Sequence, residues 1–198
     1  MTRLNKSIDI GGTSDAGDIL TFVEFAKVLN PKTVLDVGAG CFGKSAYLLR
    51  MFVEHKFRHL YGTNYMRIDG IEAYIPNLEY VRNLKLYNNL FGLEALRVLR
   101  NLVNFKSSYD IIVCSHVLEH HFEEDGWNLL SLMYDCCEKG IILACPFGKY
   151  LHTDNMNRYQ NHLSGWTPEM ISKKYPITTP IITRNNVGVE EFMLVIPK

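Results

Sequence analysis

With 198 residues the chain has room for one substantial core, and we read it as a single domain, a loop and helix over 1–30 followed by an α/β core over 31–198. Its 21 basic and 21 acidic side chains cancel, which excludes a global basic field for gathering nucleic acid. The five cysteines are odd in number and sit mostly in apolar runs, so they point to reduced thiols in a cytoplasmic protein and away from a disulfide framework.

No Cys-x-x-Cys pair and no zinc-type Cys/His spacing occurs, so no metal is expected. No apolar stretch has the length to cross a membrane, and the first residues carry no apolar leader segment. Residues 1–17 are polar, with Gly11-Gly12-Thr13-Ser14 marking a loop and Asp15 or Asp18 available as a cap. From Asp18 to Leu29, Ile19, Phe22, Val23 and Ala26 recur at helical spacing. Asn30-Pro31 ends that helix. A buried strand follows over about Lys32 to Val37, rich in β-branched and apolar residues.

The strand runs into Gly38-Ala39-Gly40-Cys41-Phe42-Gly43. Glycine there permits a tight turn and close approach of backbone to a ligand. Asp36 breaks the apolar run, and a buried acid needs a partner, either a ligand amine or the N–H groups of the turn. The glycines also fit G-x-G-x-x-G, which keeps an NAD(P)-dependent oxidoreductase open as an alternative. A helix over about Gly43 to Glu54 should bury Tyr47, Leu48, Met51 and Phe52.

For the second strand, Arg67 to Tyr74 is preferred over the stretch ending at Tyr61-Gly62-Thr63-Asn64. It closes on Glu72, the apolar-then-acid pattern of a nucleoside-binding sheet, where a carboxylate accepts hydrogen bonds from ribose hydroxyls. Asn64 and Asp69 are lesser candidates for that role. A helix over Pro76 to Tyr87, a turn at Asn88-Asn89, a short strand at Leu90-Phe91-Gly92 and a helix over Leu96 to Phe105 follow.

Ile111 to Cys114 reads as a buried strand, followed by Ser115-His116-Val117-Leu118-Glu119-His120-His121. Glu123, Glu124 and Asp125 suit the start of a helix. Its apolar face is Trp127, Leu130, Met133, Tyr134 and Cys137, so Cys136-Cys137 reads as helix packing, and Lys139-Gly140 ends the helix. Ile141 to Cys145 is a fifth strand closed by Pro146-Phe147-Gly148. Thr167-Pro168-Glu169 opens another helix. Ile177 to Thr183 and Glu191 to Ile196 are the last strands, joined through Asn185-Asn186 and Gly188 as an antiparallel hairpin. The sum is an α/β fold, a doubly wound, mostly parallel sheet of seven strands with helices on both faces.

Three stretches carry a family resemblance. Val34 to Gly43 resembles motif I of the class I (Rossmann-like) S-adenosylmethionine-dependent methyltransferases. Tyr109 to His120 resembles their fourth-strand motif, which often reads D-V-V…V-L-E-H. Asn157 to Glu169 is similar to an N-x-Y-x-x-H-x-S-x-W-x-P-E stretch that follows the fifth strand in many bacterial members. The resemblance covers residues 32–196 and implies S-adenosylmethionine (SAM) as cofactor and S-adenosylhomocysteine (SAH) as product. It implies that Asp36, Gly38, Ala39 and Gly40 face the methionine end and that Glu72 holds the ribose. It places Leu93 and Glu94 at the adenine, and Ser115 and His116 where the methyl group moves. Leu93 stands where relatives often have Asp.

SAM carries an activated methyl group, so alignment and exclusion of water do most of the work. Where a base is needed, His120, His152 and His162 are the candidates, with His116 and Glu119 behind them. Tyr159 and Trp166 either stack on a substrate or pack the covering loop. The implied acceptor is an O or N atom of a small molecule, with no nucleic-acid or membrane partner. A non-catalytic SAM- or nucleoside-binding protein is the other alternative.

Overall fold

A computed structural model describes residues 16–54, 66–150, 152–154, 157–185 and 188–198, with side chains from residue 19 onward. The expected loop at Gly11 to Ser14, the cap at Asp15, the rival strand end at Tyr61 to Asn64 and the turn residue Asn186 lie outside the described residues, as does the Asp18 side chain.

Helix α1 (Ala16–Leu29) leads into β1 (Thr33–Val37), α2 (Lys44–Leu48) and a π-helical continuation over Leu49–Glu54. Then come β2 (Arg67–Ile71), α3 (Ile75–Asn83), β3 (Asn89–Phe91), α4 (Ala95–Asn104) and β4 (Tyr109–Ser115). A 3₁₀ turn at Leu118–His120 precedes α5 (Glu123–Cys136) and β5 (Cys137–Pro146). A second 3₁₀ turn (Arg158–Gln160), α6 (Pro168–Ser172), β6 (Ile181–Arg184) and β7 (Glu190–Pro197) complete the chain. The strands form one seven-stranded sheet in the order β3-β2-β1-β4-β5-β7-β6. Strands β1 to β5 are mutually parallel, and β7 runs antiparallel to both β5 and β6. Chain direction reverses in strand order at β1, so the C-terminal ends of β1 and β4 flank a crevice, where open α/β sheets bind ligands.

Side-chain alternation builds a core on each face of the sheet. Leu35, Val37, Ile112 and Cys114 pack with α4 and α5 through Leu99, Leu129 and Met133. Val34, Ile111 and Val113 pack with α1, α2 and the π-helical stretch through Phe22, Ala26, Ala46 and Leu49. Among the described residues no helix is long and apolar enough to cross a membrane.

Several expected boundaries and faces shift. Of the four residues assigned to the buried face of the post-glycine helix, only Leu48 is buried, while Tyr47, Met51 and Phe52 are about half exposed. The π-helical stretch rotates the face expected from a 3.6-residue period and turns Arg50 and Glu54 inward. Arg50 Nη1 donates to both Glu54 oxygens at 2.9 and 3.0 Å and to the Met66 carbonyl at 2.7 Å, and the Met66 N–H donates to Glu54 at 2.9 Å. Burial of that pair is tolerable because its lone pairs and protons are spoken for.

Helix α3 stops at Asn83, not Tyr87, where Lys85 enters the left-handed region at φ 53°. Strand β3 begins at Asn89, because that residue pairs with Asp69 instead of turning the chain. Helix α5 passes directly into β5 at Cys137, so Lys139-Gly140 lies within the strand and Cys137 is a strand residue. A Cβ at Gly140 would sit 2.8 Å from the Ile196 carbonyl, which explains glycine inside the strand. Strand β6 begins at Ile181, not Ile177, directly after Pro180, which has no N–H to give a ladder.

Candidate active site

The turn after β1 is held by backbone and carboxylate contacts. Gly38 and Ala39 donate their N–H groups to the Ile71 carbonyl at 3.0 and 2.8 Å. Gly38 has φ 81°, and a Cβ there would lie 2.4 Å from the Val117 side chain, so only glycine lets the turn dock against the segment after β4. Gly40, at φ 62°, is different: an added Cβ would meet no described atom within 4 Å, so its backbone borders open space.

Glu72 follows β2 directly and is buried. One carboxylate oxygen accepts the Gly40 N–H at 2.8 Å and the other accepts the Tyr74 N–H at 2.7 Å. Burial pushes its carboxyl above the ordinary range, and the two backbone donors pull the other way. The acid thus ties the β2 end to the turn, next to the open space at Gly40. Asp69, a lesser candidate, is instead fully buried structure. It accepts from Arg67, from Asn89 and from the Tyr109 hydroxyl at 2.8 Å.

Asp36 points under the turn. Its carboxylate accepts the Tyr87 hydroxyl at 2.5 Å and a hydrogen bond from Ser45. Those side chains stand where a ligand amine or the turn's N–H groups were expected. Burial pushes its carboxyl up to about 7, although both hydroxyl donors oppose the rise. Tyr87 in turn is raised well above its ordinary value by burial and by Asp36. Neither partner was read from the sequence, because nothing local to Asp36 marks a tyrosine 51 positions away.

At the end of β3, Leu93 and Glu94 are exposed. Glu94 lies 3.8 Å from the Arg158 guanidinium and 3.5 Å from the Tyr159 hydroxyl. The segment over 157–160 therefore reaches the β3 edge of the crevice. Tyr159 remains at that edge. Trp166 does not: it is fully buried, its indole N–H donates to Ser164 at 2.8 Å, and its ring packs against Trp127 and Gly126. It packs the covering loop and has no face left for a substrate.

The fourth-strand side is built on His116 and Glu119. Ser115 and His116 line a cleft together with Phe22, Ser45, Ala144 and Met193. His116 adopts φ 55°, a left-handed conformation uncommon for a non-glycine residue and often found at functional sites. Its Nδ1 lies 3.3 Å from Glu119 and its Nε2 3.6 Å from Glu191, both buried carboxylates. Burial alone would raise the Glu119 carboxyl, but His116 and His120 hold it down at about 2. Glu191 was not singled out in the sequence, where it reads as the first residue of an edge hairpin. Antiparallel pairing of β7 with β5 sets it opposite Pro146, at the crevice end.

The three histidines named as candidate bases come together. The ring centroid of His162 is 5.0 Å from that of His120 and 5.5 Å from that of His152. His120 is partly buried, and burial pushes its imidazole below the ordinary value. The Glu119 carbonyl accepts the N–H groups of Leu163 and Ser164 at 2.7 and 3.2 Å, which lays the covering loop over the β4 end.

No family model matches the chain, and no curated protein matches it. Solved structures do. The N-terminal domain of EvdMO1, crystallised in the presence of SAH and D-fucose, is 15% identical with a TM-score of 0.63, over 94% of this chain and 84% of that one. The magnesium protoporphyrin IX methyltransferase ChlM of Synechocystis PCC 6803, with bound SAH, is 14% identical with a TM-score of 0.62, over 94% of this chain and 90% of that one. A SAM-dependent methyltransferase from Archaeoglobus fulgidus is 16% identical with a TM-score of 0.63, over 92% of each chain. The chain has the class I SAM-dependent methyltransferase fold, with the seven-stranded, mostly parallel sheet and terminal hairpin expected from its residues.

Proposed function

We propose that the chain is a SAM-dependent methyltransferase that methylates an O or N atom of a small molecule. The observation that carries this reading is the bridge from the buried Glu72 carboxylate to the Gly40 N–H, beside backbone bordered by open space. With the Gly40 and Tyr74 N–H groups and the Asn77 side chain already bonded to it, a carboxylate so placed keeps a lone pair for a ribose hydroxyl. The fold and the SAH-bound neighbours support the same reading.

When bound, the cofactor supplies a methyl group already activated on a sulfonium. The chain's own residues do the rest. The Gly38, Ala39 and Gly40 backbone receives the methionine end, Glu72 the ribose, and Leu93 with Glu94 the base. Asp36 supports the turn from beneath through Tyr87 and Ser45. The β4 end at Ser115 and His116 faces the methyl group being transferred, and the covering loop over 157–166 keeps water out. A proton leaving the acceptor passes to an imidazole of the His120, His152 and His162 group.

Calorimetric titration with SAH tests the cofactor. The expected result is micromolar binding that Glu72→Ala weakens tenfold or more, about 1.4 kcal/mol. Binding of NAD(P)H in place of SAH would reverse the assignment to an oxidoreductase. SAH binding without methyl transfer to any acceptor offered would leave a non-catalytic binding protein.

A further inference from the structure

Glu119, His120 and His162 each offer one ligand-capable atom, and the three atoms lie within 4.8 Å of one another. The two imidazoles are held in one tautomer. His120 Nδ1 is 3.2 Å from the Asn161 carbonyl and His162 Nδ1 is 2.7 Å from the Tyr150 carbonyl. A carbonyl oxygen has no proton to give, so each Nδ1 is the N–H and each Nε2 carries the lone pair. That is how metal-ligating histidines are oriented, the ring N–H on a carbonyl and the other nitrogen on the ion.

The backbone fixes the same group. Leu163 and Ser164 are bonded to the Glu119 carbonyl, and the His162 N–H donates to the His152 carbonyl at 2.9 Å. The Glu119 carboxylate is buried beside them and accepts the Cys145 thiol at 3.2 Å on one oxygen. His152, with its ring 5.5 Å from that of His162, is a further nitrogen donor alongside. One base would serve a proton transfer; three clustered imidazoles and a buried carboxylate exceed that need.

We propose that Glu119, His120 and His162 form a binding site for a divalent transition-metal ion at the mouth of the crevice, with coordination positions left for an oxygen of the acceptor. Two imidazoles and one carboxylate suit Zn²⁺, Mn²⁺, Fe²⁺ or Co²⁺ better than Mg²⁺ or Ca²⁺, which take oxygen donors. Three protein ligands leave the ion open, as in catalytic sites. No local spacing marks the site, since Glu119-His120 is joined by a histidine from a distant loop and forms no zinc-type pattern. The acceptor part of the proposal rests on the methyltransferase reading and narrows it to a hydroxyl compound. A cation holding that hydroxyl lowers its pKa. With His120 and His162 on the ion, the proton passes to His152, the imidazole of that group not on the ion, an oxygen lone pair forms the new O–C bond, and the C–S bond breaks with its electron pair kept by sulfur.

The test uses the tag-free full chain, stripped with chelator and titrated calorimetrically with Zn²⁺, Mn²⁺ and Mg²⁺, with and without SAH. The expected result is one Zn²⁺ or Mn²⁺ per chain at roughly micromolar affinity, with Mg²⁺ far weaker. His120→Ala and His162→Ala should each weaken it about tenfold or more, while His121→Ala should not. Glu119 is buried and its variants risk misfolding, so the half-buried His162 decides. Absence of stoichiometric binding, or binding untouched by both histidine variants, overturns the site. Unchanged SAH affinity in His162→Ala marks the defect as local to the ion. Failure of SAH to bind while Zn²⁺ still does would sink the methyltransferase reading and leave the cation site standing. In the Co²⁺-loaded chain, acetohydroxamate should change the visible spectrum. A spectrum it leaves unchanged means a closed, structural ion and overturns the acceptor part.

Discussion

Asp36 and Glu119 are equally hidden from water, at 1% and 2% exposure, Asp36 within β1 and Glu119 in the 3₁₀ turn that follows the neighbouring strand β4. Burial nonetheless leaves them in opposite states. Asp36 meets hydroxyl donors, Tyr87 and Ser45, and is pushed up to about 7. Glu119 meets the imidazoles of His116 and His120 and is held at about 2. Depth sets the same penalty on both; the charge of the neighbours decides the outcome. The turn side of the crevice is therefore a near-neutral frame closed by hydroxyls and backbone N–H groups. The β4 side carries a charged carboxylate, closed by the imidazoles of His116 and His120 after β4, with His162 of the covering loop packed against His120.

The largest effect expected from separating these halves comes from Trp166→Ala. Removing this fully buried ring from its seat against Trp127 and Gly126 should cost about 3–5 kcal/mol in urea unfolding. The turn side touches none of it, so SAH affinity at low temperature should hold within a few-fold. Affinity that collapses together with stability would mean that the halves form one unit.

Asp36→Asn comes next. The folded carboxyl titrates near 7 against an ordinary value of 3.8. Because the folded value is the higher one, the stability linked to this proton is fully present below about 3.8 and is lost as pH rises through about 7. About three pK units at 1.36 kcal/mol each give an upper bound of about 4 kcal/mol. Asn is neutral throughout and keeps an acceptor for Tyr87. Urea midpoints should favour the variant increasingly from pH 4 to pH 8. A wild-type-minus-variant difference that stays flat across that window would remove Asp36 from the neutral frame.

The same contrast explains what the sequence could disclose. Val34, Leu35 and Val37 alternate between the two cores, and the glycine turn and Glu72 lie at strand ends, so local pattern sufficed for them. Fold class, strand number and the terminal hairpin followed from the same periodicity. Arg50 and Glu54 escaped notice because an i, i+4 charge pair reads as a solvated helix face, and only the π-helical turn brings it inside. Tyr87, Glu191 and His162 reach the crevice across long separations, and no spacing rule links them to Asp36, His116 or Glu119. The charged half is assembled by tertiary structure: its histidines and Glu119 were each singled out in the sequence, but Glu191 was not, nor was their grouping legible.

Ser164→Ala probes how the loop is pinned without removing its anchor. Ser164 accepts the Trp166 indole N–H and donates to the Leu118 carbonyl at 3.3 Å. Its loss leaves a buried indole N–H without its acceptor, at a cost of about 1–2 kcal/mol. A thermal midpoint unchanged from wild type would place the loop's stability elsewhere.

Arg158→Ala should change stability least and still inform on the crevice. The guanidinium is exposed, stands 3.8 Å from Glu94 and lies over the Tyr159 ring at 5.0 Å. Exposed pairs of this kind contribute little, so the melting temperature should stay within measurement scatter. Binding is a separate matter, because Glu94 borders the region assigned to the base of the cofactor. If the guanidinium neutralises Glu94 there, removing it leaves a bare carboxylate, and SAH affinity should shift by about twofold at low salt and return as salt screens the charge. A shift that persists at high salt would instead mean that the segment over 157–160 packs on the ligand directly. The covering loop would then belong to the cofactor half as well as to the imidazole half.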